Sequence, residues 1–418
     1  MPSRLALPFI LITVMIDAVG IGLILPVLPG LIEDLTGAGL GDAALWGGLL
    51  ASGYAVMQFL FGPLLGNLSD RFGRRPVILA SLAMMALNYL AMAVAGSIWL
   101  LFAGRLVSGV TGATHAAANA VAADISGPDD RARRFGQIGA ALGAGFVAGP
   151  LLGGLLATID LRAPFWAAAG LAAANLVFGL LALPETVTPA NRRPFRWARA
   201  NPLGAFRAVA RLPGLGRMLT IYGLYAVAMF VWPSVWAFYG AVQFGWDPVR
   251  IGGSLALYGA AMALVQAVLV GRLTRRFGDR GTLYLGMGIE LVTYLFYGVV
   301  TSGGLALLFT PVSALGSVVM PALQSRMSRA AAADAQGELQ GVIGSLMAVA
   351  MCLSPLVMTA VFGAFTRPGG PLPHLPGAPF LVSAVLIVTC LALLRAEPRL
   401  PRPADADAED EPAARPDA

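Results

Sequence analysis

The sequence predicts an all-α integral membrane protein with twelve transmembrane helices in two pseudo-symmetric six-helix halves. Three observations carry this prediction. The chain of 418 residues is 57% hydrophobic and only 12% charged, whereas a soluble domain has about 25% charged residues. It contains twelve apolar stretches near the length of about 20 residues that a helix needs to cross a bilayer. Two features of the first half recur in the second half at one fixed offset.

The twelve candidate spans follow one another with short polar connections. Spans 1 to 12 are predicted at 7–29, 45–66, 76–95, 98–122, 134–158, 164–184, 217–242, 250–272, 282–302, 304–328, 336–362 and 377–396. This gives an N-terminal half (1–184) and a C-terminal half (217–396), joined by a polar, basic cytoplasmic loop (185–216). The acidic segment 397–418, rich in Ala and Pro, is predicted to be a disordered cytoplasmic tail.

The repeat supports the division into halves. GNLSDRFGRRP at 66–76 has a weaker partner in GRLTRRFGDRG at 271–281, an offset of 205 residues. Gly149-Pro150 in span 5 matches Ser354-Pro355 in span 11 at the same offset. Duplicated halves of this kind build secondary transporters, with the substrate site near the membrane midplane between them.

Basic residues predict the orientation and exclude several functions. All 28 basic residues are arginine, and they concentrate in alternate connections, so both termini are expected in the cytoplasm. Without lysine there is no P-loop, and ATP-driven pumping by this chain is not expected. We expect no nucleic-acid partner, because the arginines lie in short loops between apolar spans. With two histidines and two cysteines in the chain, no metal site, cofactor or disulfide is expected.

Three charged residues lie inside predicted spans: Asp17 in span 1, Arg105 in span 4 and Glu290 in span 9. A charge at the membrane centre costs about 2.5–3.5 kcal/mol even on a lenient insertion scale. Such groups must face a cavity, pair with one another or be neutralised. An acid that gains and loses a proton as its surroundings alternate would meet the requirement for coupling transport to protons. A static, hydrogen-bonded structural role is the alternative for Asp17 and Glu290.

Other polar and aromatic residues are candidates for substrate binding. In span 4, Arg105, Ser108, Gly112, His115 and Asn119 form one stripe, which should face a water-filled cavity. His115 could titrate near physiological pH or serve as a neutral packing residue. Span 7 has a second set of residues at helical spacing: Tyr225, Met229, Trp232, Trp236 and Tyr239. Trp236 and Tyr239 are interpreted as residues of the aromatic belt at the membrane interface. Tyr225 and Met229 could either form a wall of the cavity or contact lipid. Gln58, Gln266 and Gln324 could orient a ligand or bond backbone groups.

The loop GNLSDRFGRRP between spans 2 and 3 is a candidate conformational latch. We expect Gly66 to allow close helix packing and Asp70 to accept hydrogen bonds from a helix N-terminus. Arg71, Arg74 and Arg75, around Gly73, could pair with acids on neighbouring helices. The alternative is an ordinary basic loop on the cytoplasmic side.

These motifs resemble those of the major facilitator superfamily. GNLSDRFGRRP resembles its signature loop. GQIGAALGAGFVAGPLLGG in span 5 resembles the antiporter motif of its drug:proton exporters, through Gly136, Gly145, Gly149, Pro150, Gly153 and Gly154. GRLVSGVTGATHAAANAVAAD in span 4 resembles the exporters' arginine motif. DAVGIGLILPVLP, FGW at 244–246 and PALQ at 321–324 are most similar to the tetracycline exporters.

The resemblance implies the major facilitator fold and export of an amphipathic drug in exchange for protons. It implies coupling roles for Asp17, Glu290 and Arg105, with glutamate standing where the exporters have aspartate in span 9. Two positions depart from the pattern: Asn88 replaces an acid in span 3, and Met262 aligns with a histidine in span 8. Both are therefore candidates for determining which substrate is bound.

The sequence also allows functions other than drug export to be compared by the features that each would need. Export of a sugar or other small metabolite predicts no drug phenotype and a cavity rich in hydrogen-bonding groups. A membrane enzyme would need a catalytic motif such as GxSxG or HExxH, and the sequence has neither. A non-transporting sensor would not need the antiporter motif. The expected molecule is therefore a monomeric transporter of a small-molecule drug and protons in the bacterial cytoplasmic membrane.

Overall fold

The structure is a computed structural model that describes residues 6–112, 120, 121, 124, 130–187, 192, 212, 214–332 and 335–396. Every regular element in these ranges is a helix. In the N-terminal half, spans 1 to 6 are Ala6–Ile24, Leu40–Phe72, Arg74–Ala93, Ile98–Thr111, Arg131–Leu156 and Ala163–Ala182. A short helix, Leu28–Thr36, lies between spans 1 and 2. The predicted tail and most of the central loop lie outside the described residues.

The C-terminal half repeats this pattern with longer continuous helices. Span 7 is Gly216–Phe244, span 10 is Gly303–Ala330, span 11 is Gln336–Thr366 and span 12 is Ala378–Arg395. Spans 8 and 9 form one 52-residue element, Pro248–Val299, which Gly278 breaks with a positive φ of 66°. Ten of the described helices are long and apolar enough to cross a membrane. The double-length element and the described part of span 4 make the described helices consistent with twelve spans.

The break between spans 2 and 3 has the same origin as the break between spans 8 and 9. Gly73 has φ 108° and Gly278 has φ 66°, and the two residues are related by the offset of 205. Glycine adopts these angles without the steric penalty that a β-carbon brings. Pro150 and Pro355, related by the same offset, both lie inside helices, in spans 5 and 11. The sequence repeat is therefore a structural repeat.

The two halves contact each other at the end that the arginines assign to the periplasm. A β-carbon on Gly252 of span 8 would overlap the carbonyl oxygen of Pro150 in span 5. A β-carbon on Gly48 of span 2 would lie 2.9 Å from the carbonyl oxygen of Pro355 in span 11. Small residues therefore let the backbones of opposite halves touch, as in other membrane helix pairs.

At the opposite end, which the arginines assign to the cytoplasm, spans 2, 5, 8 and 11 carry glycines without close neighbours. No atom lies within 4 Å of a β-carbon built on any of several glycines there, namely Gly62, Gly66, Gly136, Gly139, Gly271, Gly337 and Gly344. Gly66 was expected to pack closely against a helix, and in this conformation it does not. The molecule is closed at the predicted periplasmic end and open towards the predicted cytoplasm.

Candidate functional site

A cavity of about 130 Å³ lies between the halves. Spans 1, 2 and 4 form one wall and spans 7 and 11 form the other. Arg105 supplies the charge in this lining, and Tyr54 and Ser234 supply hydroxyl groups. The remaining lining is apolar: Ile21, Leu25, Ala51, Ala55, Phe230, Pro233, Met351 and Pro355. The cavity therefore suits a largely apolar molecule that carries a few polar groups.

Asp17 lies one helical turn from Ile21 in the cavity wall and is only 5% exposed. Tyr54 and Tyr89 each interact electrostatically with both Asp17 and Arg105. Gly20 makes room for Tyr89, since a β-carbon there would lie 2.6 Å from the tyrosine hydroxyl. An acid and a guanidinium thus share two tyrosines beside the cavity, in the N-terminal half.

The described part of the polar stripe of span 4, which includes Arg105 and Ser108, faces the interior of the N-terminal half. Asn88 donates a hydrogen bond through Nδ2 to Ser108 Oγ at 2.7 Å. Gln58 donates through Nε2 to the Tyr54 hydroxyl at 3.3 Å. Asn88 and Gln58 therefore support the cavity wall from behind and are not among the residues that line it. His115 and Asn119 lie outside the described residues.

Glu290 lies in the C-terminal half and is 2% exposed. The Tyr225 hydroxyl donates to Glu290 Oε1 at 3.3 Å, and Tyr258 and Tyr294 interact with the carboxyl electrostatically. Glu290 also packs against Gly316 of span 10. Tyr225 is thus a partner of the acid. The sequence left open whether Tyr225 faces lipid, and its burial shows that it faces the protein interior.

Trp236 and Tyr239 are not belt residues, and that interpretation was wrong. Trp236 is 3% exposed and donates through Nε1 to Ser254 Oγ at 2.8 Å. Tyr239 is fully buried and donates to the carbonyl oxygen of Tyr297 at 2.7 Å. Both belong to an aromatic cluster around Trp232, whose ring centroid lies 5.7 Å from that of Tyr258. The helical spacing identified one face of span 7 correctly, but that face packs inside the C-terminal half.

The other candidate binding residues lie away from the cavity lining. Met229 and Met262 are half-buried, and Gln266 and Gln324 are exposed. None of the four is among the residues that line the 130 Å³ cavity in this conformation, and their role in substrate binding stays a prediction. Tyr54, Phe230 and Met351 line the cavity but did not stand out in the sequence. For Tyr54 alone the sequence held a signal: it lies four residues before Gln58, and therefore on the same face of span 2.

The latch loop is organised by an acid that the sequence did not single out. Both carboxylate oxygens of Glu185 accept backbone N–H groups at the start of span 3, from Arg74 at 2.9 Å and from Arg75 at 3.3 Å. Asp70, expected in that role, instead pairs with the Arg74 side chain at 2.6 Å. The positive φ of 108° favours glycine at residue 73, and a β-carbon there would also lie 2.7 Å from Glu185 Cδ.

The arginines of the loop divide into paired and exposed side chains. The Arg74 guanidinium also pairs with Asp124 at 3.3 Å, and Arg75 donates to the carbonyl oxygen of Leu180 at 2.9 Å. Arg71 is exposed and lies over the Phe72 ring. Arg74 therefore pairs with acids, as expected for the loop. The Arg75 side chain instead binds a carbonyl oxygen near the C-terminus of span 6.

The corresponding loop in the C-terminal half carries the reverse charges. At the offset of 205, Arg74 corresponds to Asp279 and Asp124 to Arg329. Asp279 and Arg329 form an ion pair. Each half therefore has a salt bridge at these equivalent positions, with the acidic and basic residues exchanged. Arg280, which corresponds to Arg75, likewise donates to a helix C-terminus, at the carbonyl oxygen of Leu394.

The antiporter motif of span 5 packs against both halves. Gly145, Gly149 and Gly153 face span 1, where β-carbons would press on backbone atoms of Met15, Val19 and Leu23. Pro150 and Gly154 face span 8 of the other half. Gly136 lies at the predicted cytoplasmic end, where no atom is within 4 Å of a β-carbon built on it. The motif therefore lets span 5 pack closely against span 1 and also against span 8, at a seam between the two halves.

The family model of the Major Facilitator Superfamily matches residues 10–355. The chain belongs to this superfamily. It is therefore a multi-pass membrane transporter and not an enzyme. It is 41% identical to the class C tetracycline resistance protein of Escherichia coli, over 94% of this chain and 98% of the relative. It is 40% identical to the class G protein of Vibrio anguillarum, over 92% of this chain and 96% of the relative.

Solved structures agree with the fold. The human organic anion transporter MFSD10 is 27% identical, with a TM-score of 0.67 over 94% of this chain and all of that one. A bacterial homologue of the human lysosomal transporter Spinster is 16% identical, with a TM-score of 0.75 over 94% of this chain and 96% of that one. At that identity the second likeness concerns the fold alone.

Proposed function

We propose that this protein exports amphipathic, tetracycline-like drugs from the bacterial cytoplasm in exchange for protons, as a monomer with both termini in the cytoplasm. The observation that carries the proposal is the pair of buried acids, Asp17 and Glu290, one in each half, with Asp17 one helical turn from the lining of an apolar cavity between the halves. Intramembrane acids mark proton pathways in transporters. The 41% identity to a tetracycline resistance protein supports the drug as cargo.

The proposed cycle uses the conformation described above as its drug-loading state. The cavity opens towards the cytoplasm and takes up the drug against its apolar wall. Protons entering from the periplasm reach Glu290 and Asp17 in the opposite conformation and favour release of the drug there. One proton moving down 100 mV supplies about 2.3 kcal/mol, which corresponds to roughly 50-fold accumulation. One proton per drug molecule is therefore enough for resistance.

The cargo is proposed to interact differently from that of the tetracycline exporters. The described residues contain no group of three or more His, Cys, Asp or Glu side chains that could hold a metal ion. Asn88 and Met262 replace the acid and histidine of the exporters' pattern. Recognition by this chain would therefore depend on shape, aromatic contact and Arg105, and the drug range would differ from that of the exporters.

The test is drug-driven proton release from inverted membrane vesicles of a pump-deficient strain. Tetracycline added to vesicles with an acidic interior should release protons through the wild-type protein. Glu290→Gln should abolish this release at normal protein levels, because the amide cannot carry a proton. Glu33→Gln, an exposed acid on the short helix, is the matched control and should behave as wild type.

Two results would count against the proposal. Full proton release by the Glu290→Gln protein would remove Glu290 from the coupling mechanism. Failure of a whole drug panel to release protons or to confer resistance would favour the alternative, export of a sugar or other small metabolite. The same vesicles can then be screened with metabolites.

A further inference from the structure

Span 10 changes its helical form where it passes Glu290. The α-helix Gly303–Ser313 contains Pro311, and it continues as a 3₁₀ segment, Ala314–Val318, before α-helix resumes at Val319–Ala330. Proline lacks the N–H that an α-helix needs, and short 3₁₀ stretches inside helices often mark functional positions. Gly316 lies in the middle of this segment.

Gly316 faces the Glu290 side chain directly. A β-carbon at residue 316 would overlap Oε1 of Glu290 and lie 2.6 Å from both its Cδ and its Cγ. All three nearest atoms therefore belong to one flexible side chain. A substitution at Gly316 would displace the carboxyl and leave the backbone of neighbouring helices in place.

The carboxyl has little room to move away without losing its partner. Tyr225 holds Oε1 from span 7 through a hydrogen bond of 3.3 Å, and Tyr294 on the next turn of span 9 is fully buried beside it. A shift of about 1 Å away from Tyr225 would lengthen this bond beyond hydrogen-bonding range. The side chain of residue 316 therefore decides whether Glu290 keeps its tyrosine.

We propose that Gly316 is a positioning residue for Glu290: the missing side chain leaves the space in which the carboxyl meets Tyr225. This inference rests on the proposed role of Glu290 as a proton carrier. Glutamate reaches one methylene further than the aspartate of the tetracycline exporters, so the glycine accommodates the longer acid.

The experiment compares Gly316→Ala with Gly288→Ala in the vesicle assay. Gly288 lies two residues before Glu290 on span 9, and a β-carbon there meets no atom within 4 Å. Crowding of this kind shifts an equilibrium by about tenfold or more. We expect Gly316→Ala to lower drug-driven proton release at least about tenfold and to move its pH profile, with protein levels near wild type. Gly288→Ala should match wild type in rate and in pH profile.

A second background tests the contact itself. With the shorter acid in Glu290→Asp, the same alanine at residue 316 should cause a smaller fold-loss than it does beside glutamate. Equal losses in the two backgrounds would overturn the proposal, as would a Gly316→Ala protein with normal rate and pH profile. If Gly316→Ala fails to accumulate, recovery in the double variant Gly316→Ala/Glu290→Asp supports the contact, and absence of both proteins overturns it.

The outcome is separable from a failure of the proposed function. If Glu290→Gln couples normally while Gly316→Ala does not, Glu290 is not the proton carrier. If Glu290→Gln abolishes coupling and Gly316→Ala leaves it intact, the proposed function stands and the positioning role of Gly316 falls.

Discussion

The two halves share an architecture but surround their buried acids differently. In the N-terminal half, Asp17 shares Tyr54 and Tyr89 with a cation, Arg105, next to the cavity. In the C-terminal half, Glu290 is surrounded by tyrosine hydroxyls and by Gly316. A buried carboxylate needs a compensating charge or a proton. The two acids therefore differ in what surrounds them: a cation shares the tyrosines beside Asp17, whereas tyrosine hydroxyls and a glycine surround Glu290.

The largest expected effect tests this difference through stability. Asp17→Asn removes the buried carboxyl that interacts with Tyr54 and Tyr89, which also interact with Arg105, and we expect a loss of about 3 kcal/mol because buried polar groups are left without their partner. Glu290→Gln replaces an acid among hydroxyls by a neutral group of the same shape, and we expect a change below about 1 kcal/mol. Apparent melting temperatures of the purified proteins in detergent measure both.

The double variant Asp17→Asn/Arg105→Gln is the control for this comparison. Removing both charges should restore part of the melting temperature lost in Asp17→Asn. If Asp17→Asn and Glu290→Gln melt alike, or if the double variant melts lower still, the two acid sites do not differ in the way proposed.

The two seams between the halves, one where span 5 meets span 8 and one where span 2 meets span 11, provide the next comparison. Gly252→Val would press a side chain on the Pro150 carbonyl, and the backbone there cannot move aside. Overpacking of about 1–3 kcal/mol would shift the conformational equilibrium by about 5- to 150-fold away from the state closed at the periplasmic end. Drug export rates should fall accordingly. Gly253→Val, on the same helix turn with no atom within 4 Å, should export at the wild-type rate.

Gly48→Val tests whether the two seams are equivalent. A β-carbon there would lie 2.9 Å from the Pro355 carbonyl oxygen, so its effect should resemble that of Gly252→Val. Normal export by Gly48→Val would mean that the seam between spans 2 and 11 opens independently of the seam between spans 5 and 8.

A smaller effect is expected at the charge-reversed loops. Asp279 is 3% exposed in its side chain, while its partner Arg329 is 58% exposed, so water screens much of the interaction. We expect Asp279→Asn to lower stability by about 1 kcal/mol. The exchanged pair Asp279→Arg/Arg329→Asp should regain part of it, since the N-terminal half already has this polarity. No recovery would show that the sign of the pair is fixed by its surroundings.

Much of the fold could be predicted from the sequence because lipid imposes simple rules. Apolar length gives the spans, and the offset of 205 residues predicts the repeat in which Gly73 and Gly278 turn out to be equivalent. The cost of a charge in lipid identifies Asp17, Arg105 and Glu290 as interior residues, and each is buried in the structure.

The partners of these residues could not be predicted, because they come from distant segments. Glu185 reaches the start of span 3 from about 110 positions away, and nothing local distinguishes it from other loop acids. The contact of Gly316 with Glu290 depends on the 3₁₀ form of span 10. The stripe of span 7 predicted a face, but helical spacing cannot say whether that face meets lipid or protein.

The smallest expected effect concerns an ion pair that one seam has and the other lacks. Asp42 at the start of span 2 pairs with Arg367 after span 11 at 2.6 Å. The residues at the offset of 205 are Asp247 and Arg162, the same charges at the other seam. There Asp247 caps its own helix through the backbone N–H of Arg250 at 2.8 Å, and Arg162 lies 3.9 Å from Asp34.

Both side chains of the Asp42–Arg367 pair are about half exposed, and exposed ion pairs contribute only about 0–1 kcal/mol. Asp42→Asn should therefore change export less than about fivefold, in the direction of easier opening, and the difference should vanish at high salt because ions screen the pair. Asp247→Asn should have no effect, since asparagine caps a helix as well as aspartate does. A larger loss for Asp42→Asn that persists in high salt would mean that this contact, and not the glycine surfaces beside it, holds the periplasmic end closed.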